Sequence, residues 1–269
     1  MSRELLIAVT PDEAVFMKTG CSSYLAGGTE VLREGSSVRA DRLIMLKNVD
    51  ALKGITETDE GTVRIGSMTT FEEGVQSPLV PDYFRNALCY MASRTKREMA
   101  TIGGNIALLR DDSYLAAVLF AAHARLEILT GEGSVDRVCI RKYSKSRSMY
   151  QDALILAVHL KRDAKVVSKR YANTAESHSY LTAAMGIVDG KHRVGITVKN
   201  SGVFFPKEDF EKLDEGSMSD EEYMDWAKSF PGLAIPDDIY GSSAYKRYLL
   251  GVTLPDLARE LEGKEGTLS

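Results

Sequence analysis

The chain has 269 residues and a net charge of -4. Its length suits one large domain or two modest ones, and a chain of this size buries about 70–75% of its unfolded surface, so it needs no metal or disulfide to fold. The acidic balance excludes the electrostatic footprint of a nucleic-acid-binding protein, and no apolar run reaches the roughly 20 residues that a membrane span needs. In chain order, Glu4–Val9 reads as a short apolar strand. Thr10-Pro11-Asp12-Glu13 reads as a helix start with a capping box, and Gly20 is placed to end that helix. Ser22–Ala26 and Leu43–Leu46 read as strands. Ile55–Thr58 and Thr62–Gly66 form a hairpin around Asp59-Glu60-Gly61. Thr70 and Glu73 make a second capping box, and Pro81–Ser93 is an amphipathic helix with Phe84, Leu88 and Met91 on one face.

Ser113–Ala124 is apolar nearly all round, the mark of a buried helix. Arg125–Leu129 and Leu154–Leu160 read as strands, and a domain boundary is placed near residue 165. Beyond it, Ala183–Val188 and His192–Val198 flank Asp189-Gly190, a strong short-range hairpin signal. Ser219-Asp220-Glu221-Glu222 caps a helix carrying Tyr223 and Trp226. A last helix begins at Tyr245, with Tyr245, Tyr248, Leu249 and Val252 on one side and Pro255 set to kink or restart it. Strands, hairpins and capped helices mixed in this way favour an α+β fold.

Two glycine pairs carry the chemical interest: Ala26-Gly27-Gly28-Thr29-Glu30 and Thr101-Ile102-Gly103-Gly104-Asn105. Each follows an extended stretch and precedes residues able to open a helix. Paired glycines permit positive φ and close backbone approach, and several N–H groups converging on one spot suit an anion such as phosphate. Two such turns in one domain suit the two halves of a pyrophosphate, and so a dinucleotide cofactor. A single Gly-Gly is more often an ordinary tight turn. Neither the dinucleotide fingerprint nor the P-loop pattern occurs.

Other motifs lead away from protein-borne catalysis. Ser93-Arg94-Thr95-Lys96 and Lys18-Thr19-Gly20 imitate penicillin-recognition motifs, but in the wrong order and with no S-D-N between them. Cys21, Cys89 and Cys139 lie far apart and suit a reducing cytosol, and His123, His159, His178 and His192 lack ligand spacing, so no metal site is expected. No nucleophile, base or paired-carboxylate arrangement stands out, so any chemistry falls to a bound cofactor and no catalytic residue is assigned. The basic run from Arg141 to Arg147 reads as a solvated loop or a docking edge.

Taken together and in order, Leu25–Leu32, Val63–Thr70, Arg97, Thr101–Asn105 and Gly241–Val252 resemble the FAD-binding, or medium, subunit of molybdenum hydroxylases, the xanthine dehydrogenase and aerobic carbon monoxide dehydrogenase flavoprotein family. The resemblance covers nearly the whole chain. It implies residues 1–165 as a two-subdomain FAD-binding domain of the vanillyl-alcohol-oxidase type, with subdomains of about 1–54 and 55–165. Residues 166–269 would form a small α+β C-terminal domain with a three-stranded antiparallel sheet.

The resemblance assigns Ala26, Gly27, Gly28, Thr29 and Glu30 to the first pyrophosphate loop. It assigns Thr101, Ile102, Gly103, Gly104 and Asn105 to the second, which passes the flavin ring through Ile102. Lys169 matches a lysine near the flavin, where a cation would stabilise the anionic reduced ring; the alternative is a solvated lysine. Relatives often carry an Asp nine residues after the Asn of the second loop, contacting the ribityl chain, and here that position is Tyr114. Either Asp112 substitutes for it or the contact is lost.

The implied function is an oxidoreductase subunit. It would pass electrons from 2Fe–2S clusters on a partner chain through FAD to NAD, beside a molybdenum-cofactor subunit, in a cytoplasmic complex that could itself dimerise. A stand-alone flavin reductase and a flavin-free scaffold subunit are the alternatives.

Overall fold

The computed structural model describes residues 3–36, 38–206, 218–230, 232 and 234–263. The chain divides into two compact units: Met1–Pro81 with Ser93–Leu108 and Ala124–Arg162, and Asp82–Ala92 with Leu109–His123 and Asp163–Ser269. These are packing units; the proposed domain boundary near residue 165 is a separate division of the chain.

The first unit opens with β1 (Glu4–Ile7), α1 (Pro11–Phe16), β2 (Ser22–Leu25) and β3 (Arg42–Met45). The three strands form a parallel sheet in the order β1-β3-β2, with Leu6 and Tyr24 both opposite Ile44. Ile44, Ala8, Ala14, Leu46, Val49 and Leu52 are buried with Leu129, Leu154 and Leu156 in one apolar cluster. Burying each such Leu or Ile side chain contributes about 1.5–3 kcal/mol.

Thr10 caps α1 as its type demands, accepting from the Glu13 N–H at 3.2 Å. The expected capping box does not close: the Glu13 carboxylate accepts from the Val9 N–H, one residue before the cap. Gly20 does not end this helix. The chain leaves α1 at Phe16, where the N–H groups of Met17 and Lys18 take the carbonyls of Glu13 and Val15.

A second, antiparallel sheet in this unit joins β4 (Ile55–Glu57), β5 (Thr62–Gly66), β6 (Arg125–Leu129), β7 (Val135–Cys139) and β8 (Leu154–Lys161) in the order β4-β5-β8-β6-β7. Its central strands bring Arg64 and His159 onto Glu127. The Glu127 carboxyl faces a burial cost, yet those two donors hold it below the usual range. The helices of this unit are α2 (Phe71–Gln76), α4 (Arg94–Arg97), α5 (Ile102–Leu108) and α7 (Ile140–Lys145). The predicted Thr70–Glu73 box is complete at the start of α2.

The second unit is built on an antiparallel sheet, β12-β11-β10-β9, made by β9 (Lys165–Tyr171), β10 (Leu181–Val188), β11 (Lys191–Val198) and β12 (Gly202–Phe204). It holds the three long strands expected and adds a three-residue edge strand. Asp189 and Gly190 both take positive φ, 54° and 69°, the hairpin geometry that Asp-Gly favours. α3 (Asp82–Cys89) and α6 (Tyr114–Ala121) belong to this unit.

Every residue of α6 is buried, as its sequence demanded. The helix lies directly on β11, because a Cβ on Gly195 would sit 2.2 Å from the Ala117 carbonyl oxygen. α8 (Asp220–Ser229), capped by Ser219 and Glu222, and α9 (Ser243–Leu261) complete the unit. α9 runs through Pro255 and does not restart there. Leu249, Leu250, Leu254, Leu257 and Leu261 share one apolar cluster with Ile196 and Tyr223, so packing outweighs the lost backbone bond. Of the side that carries Tyr245, Tyr248, Leu249 and Val252, Leu249 is buried while the two tyrosines are 44% and 56% exposed.

Candidate functional site

In the first glycine loop the backbone runs off the end of β2 into a half-buried turn. A Cβ on Gly27 would lie 1.7 Å from the Met99 carbonyl oxygen, so only glycine lets these two segments touch. Gly28 takes φ 75°, a left-handed conformation that other residues adopt at a cost. No helix follows, contrary to the sequence expectation. Thr29 to Ser36 is a chain of turns in which the Leu32 N–H takes the Gly28 carbonyl. Among the described residues, the N–H groups of Ala26, Gly27, Gly28 and Thr29 have no acceptor within the chain. Glu30 closes the turn through its carboxylate, 3.3 Å from Arg33 Nε.

The second glycine loop is built differently. Gly103 and Gly104 lie inside the first turn of α5, and neither has positive φ. The Ile102 and Gly103 N–H groups donate to the carbonyls of Thr69 and Ser67, and the Asn105 N–H to that of Thr101. The Gly104 N–H donates to Thr101 Oγ1 at 3.2 Å. Gly103 is required by packing, since a Cβ there would come within 2.4 Å of Ser67 Cβ. Gly104 is the more open of the two. Its Cβ would meet the Thr101 hydroxyl at 2.9 Å and then Ala26 of the first loop at 4.0 Å, so the two loops face each other across this position. Ile102 is fully buried, and Asn105 is half-buried on α5.

Sequence reasoning missed what anchors this loop. Thr70 and Thr101 form an isolated bridge, and the Phe71 N–H takes the Ala100 carbonyl. Arg97 Nε donates to the buried Glu72 carboxylate at 2.8 Å, and that hydrogen bond lowers the Glu72 pKa. Arg147 donates to the Ala107 carbonyl in the last turn of α5, where a cation is favoured. The hydroxyl of Ser67 is buried with no partner among the described residues. Arg97 stood in the motif, but no local spacing announced its carboxylate.

The remaining candidates lie in the second unit. Asp112 is 3% exposed, and Arg110 forks onto both of its oxygens at 2.8 Å. Burial opposes ionisation there, but the Arg110 fork and the nearby His178 hold the carboxyl below its ordinary range. Asp111 behaves oppositely, raised by burial and by the charge of Asp112. Tyr114 is a buried residue of α6 whose hydroxyl bonds Ser168 at 2.8 Å. Lys169 is a half-exposed residue of β9, 3.8 Å from Asp256. Among the described residues no cluster of His, Cys, Asp and Glu could hold a metal ion, and no helix is long and apolar enough to cross a membrane.

These features define an α+β protein with two opposed glycine loops, one of them carrying four successive N–H groups with no acceptor among the described residues. The chain belongs to the family described as the FAD binding domain in molybdopterin dehydrogenase, whose model matches residues 4–161. That family consists of flavoprotein portions of oxidoreductases, and its cofactor is FAD.

Among individual proteins, the chain is 28% identical over 239 residues to "Uncharacterized protein YgfM" of Escherichia coli K12, covering 87% of this chain and 85% of that one. It is 33% identical over 118 residues to the "Putative xanthine dehydrogenase FAD-binding subunit XdhB" of the same organism, covering 42% and 40%. Its fold matches a chain of carbon monoxide dehydrogenase from Hydrogenophaga pseudoflava with a TM-score of 0.85 at 17% identity, over 99% of both chains.

Proposed function

We propose that this chain is the FAD-carrying electron-transfer subunit of a multi-subunit molybdenum hydroxylase of the xanthine dehydrogenase-like kind. The observation that carries the reading is the run of four N–H groups from Ala26 to Thr29 that have no acceptor among the described residues, shaped by left-handed Gly28, in a chain of this family. Such a row supplies partial positive charge to a pyrophosphate without needing Lys or Arg. The residues present therefore fit FAD at the first loop. When bound, FAD would accept electrons one at a time from 2Fe–2S clusters of a partner chain and return a pair to NAD.

The chain's own residues bind and orient. Ala26 to Thr29 donate to phosphate, with Glu30 fixing the turn through Arg33. Thr101, Ile102, Gly103, Gly104 and Asn105 form the opposing wall, where the Thr101 hydroxyl and the open position at Gly104 face the first loop. Lys169 is proposed to stabilise negative charge on the ring and Asp112 to support the ribityl side. No residue of this chain is asked to move a proton.

In the same reading, residues 1–165 form the FAD domain of the vanillyl-alcohol-oxidase type, and 166–269 the C-terminal domain. Partners carry the molybdenum cofactor and the 2Fe–2S clusters, and the whole complex dimerises in the cytoplasm. Among the described residues Cys21, Cys89 and Cys139 form no disulfide, which accords with that location.

The test is the visible spectrum of the purified protein and of its complex. A yellow protein that releases FAD on denaturation, and whose flavin is reduced by the partner chains and reoxidised by NAD, supports the reading. A folded, colourless protein that ignores added FAD overturns it. That outcome would favour the flavin-free scaffold, to which the internally bonded N–H groups of Ile102, Gly103, Gly104 and Asn105 and the Tyr114–Ser168 hydrogen bond give some weight.

A further inference from the structure

The two glycine loops meet through a short segment with little apolar anchoring of its own. α4 is a single turn, none of its four residues is buried, and Met99 just beyond it is 53% exposed. A helix this short does not hold its shape unaided in water. Yet the segment touches both loops. The Met99 carbonyl oxygen occupies the space that a Cβ on Gly27 would need, against the first loop. Two residues later Thr101 opens the second loop and bridges to Thr70, while the Phe71 N–H takes the Ala100 carbonyl at 2.9 Å. Where residues 97–101 sit therefore sets how the loops face each other.

Glu72 gives this segment a side-chain hold. It lies in the first turn of α2, 5% exposed, on a helix seated by buried Phe71 and closed by the Thr70–Glu73 box. Its Oε2 accepts from Arg97 Nε at 2.8 Å across 25 positions of sequence. Its Oε1 accepts from Gln76 Nε2 at 3.0 Å and lies 3.5 Å from Arg94 Nε. The Arg97 hydrogen bond first, and then that of Gln76, holds the carboxyl below its ordinary range, so it is ionised at neutral pH. Burying a carboxylate costs solvation, and such groups are often better explained by what they position than by net stability.

We propose that Glu72 and Arg97 are positioning residues for FAD: their ion pair fixes residues 97–101 so that the two glycine loops stand ready for one pyrophosphate. Neither side chain is asked to touch the cofactor. The inference rests on the reading of the chain as an FAD carrier and assigns two residues that lie outside both loops. A row of N–H donors binds tightly when it is already in place, because little ordering remains to be done on binding. If the segment is loosened, the apparent dissociation constant rises as the fraction of molecules with both loops in place falls. Since α4 buries nothing, the loss falls on FAD affinity and local order rather than on global stability. Removing Arg97 does not strand Glu72, which keeps Gln76 and Arg94 beside it.

The experiment compares wild type, Glu72→Gln, Arg97→Met and Arg97→Lys, with Lys53→Met in the exposed Asp50–Lys53 pair as a control. Each is measured by FAD titration, by hydrogen exchange at the Met99 and Ala100 amides, which bond the Lys96 carbonyl, and by urea midpoint without FAD. Expected for Glu72→Gln and Arg97→Met are an FAD affinity at least about tenfold weaker, faster exchange at those two amides, and a midpoint near that of the wild type. Arg97→Lys keeps the charge and should regain most of the affinity, and Lys53→Met should change nothing. Wild-type FAD affinity in Glu72→Gln and Arg97→Met overturns the proposal. So does an affinity loss matched by a fall in urea midpoint, which marks a purely structural pair, or an equal loss in Arg97→Lys and Arg97→Met. A wild-type chain that binds no FAD overturns the flavoprotein reading itself, whereas FAD binding indifferent to the pair overturns this proposal alone.

Discussion

Gly27 and Gly104 occupy comparable places in the two loops but do different work. A methyl group on Gly27 would drive into the Met99 carbonyl oxygen, an atom of the backbone that cannot rotate away. A side chain on Gly104 meets a rotatable hydroxyl and then the first loop. Gly27→Ala is therefore expected to lower stability by about 1–3 kcal/mol or more, read as a shift in urea midpoint, and to lose FAD with the fold. Gly104→Val is expected to keep a near-native midpoint and weaken FAD binding at least tenfold in a flavin titration. Equal effects on stability would show that the two glycines serve the same purpose.

Asp112 and Asp111 make a second contrasting pair. Asp112 is held below its ordinary value in the folded chain, so its ionised form adds stability. That contribution is complete above the unfolded carboxyl value of about 4 and is lost as pH falls through the lowered folded value. Asp112→Asn should cost about 1.5–3 kcal/mol at neutral pH and flatten the acid limb of the stability curve. Asp111 is raised, so its charge works against folding at neutral pH, and Asp111→Asn should be neutral or stabilising there. Matching losses in both variants would contradict the Arg110 fork as the source of the difference. At this scale the motif glycines were legible, but their tasks were not, because a Cβ clash depends on a segment more than 70 residues away in sequence.

Elements were most legible where a local rule decided them. The Thr70 and Ser219 boxes and the Asp189-Gly190 hairpin formed as read, since each needs only a few neighbouring residues. α9 shows where local rules lose. Pro255 sits within it, yet the helix continues because a buried stripe holds both halves on one apolar surface. At its other end Lys246 is fully buried, with Nζ 2.6 Å from Asp238 and 2.9 Å from the Pro236 carbonyl. Nothing in the spacing of Lys246 distinguished it from the exposed Tyr245 and Tyr248 beside it. Asp238 also accepts from the Tyr240 N–H, so the pair ties the segment ahead of α9 to the helix itself. Removing one partner strands a charge. Lys246→Met should destabilise the protein by about 3–5 kcal/mol, while Lys246→Met with Asp238→Leu should recover much of that loss. Calorimetry on the three proteins checks this, and an additive double variant would sink it.

Over the whole molecule, the composition and element pattern were enough to give an α+β protein, but not its packing units. Two short excursions, 82–92 and 109–123, leave the first unit in sequence and supply α3 and α6 to the second. A reading along the chain places these helices with their neighbours in sequence. Only the burial of α6 against Gly195 assigns it to the later sheet. A chain threaded back and forth in this way should not separate into independently melting halves, and truncation at residue 165 would remove the sheet on which α6 is buried. Ligand linkage then applies to the molecule as one cooperative system. FAD at about 100 times its dissociation constant adds about 2.7 kcal/mol. For a chain of this size that corresponds to a rise in Tm of about 5–10 °C. Gly104→Val should show no such rise at the same FAD concentration, while its unliganded Tm stays near that of the wild type. A wild-type protein whose Tm ignores FAD, or one in which only part of the transition moves, would show that the first loop's N–H groups do not couple cofactor to fold.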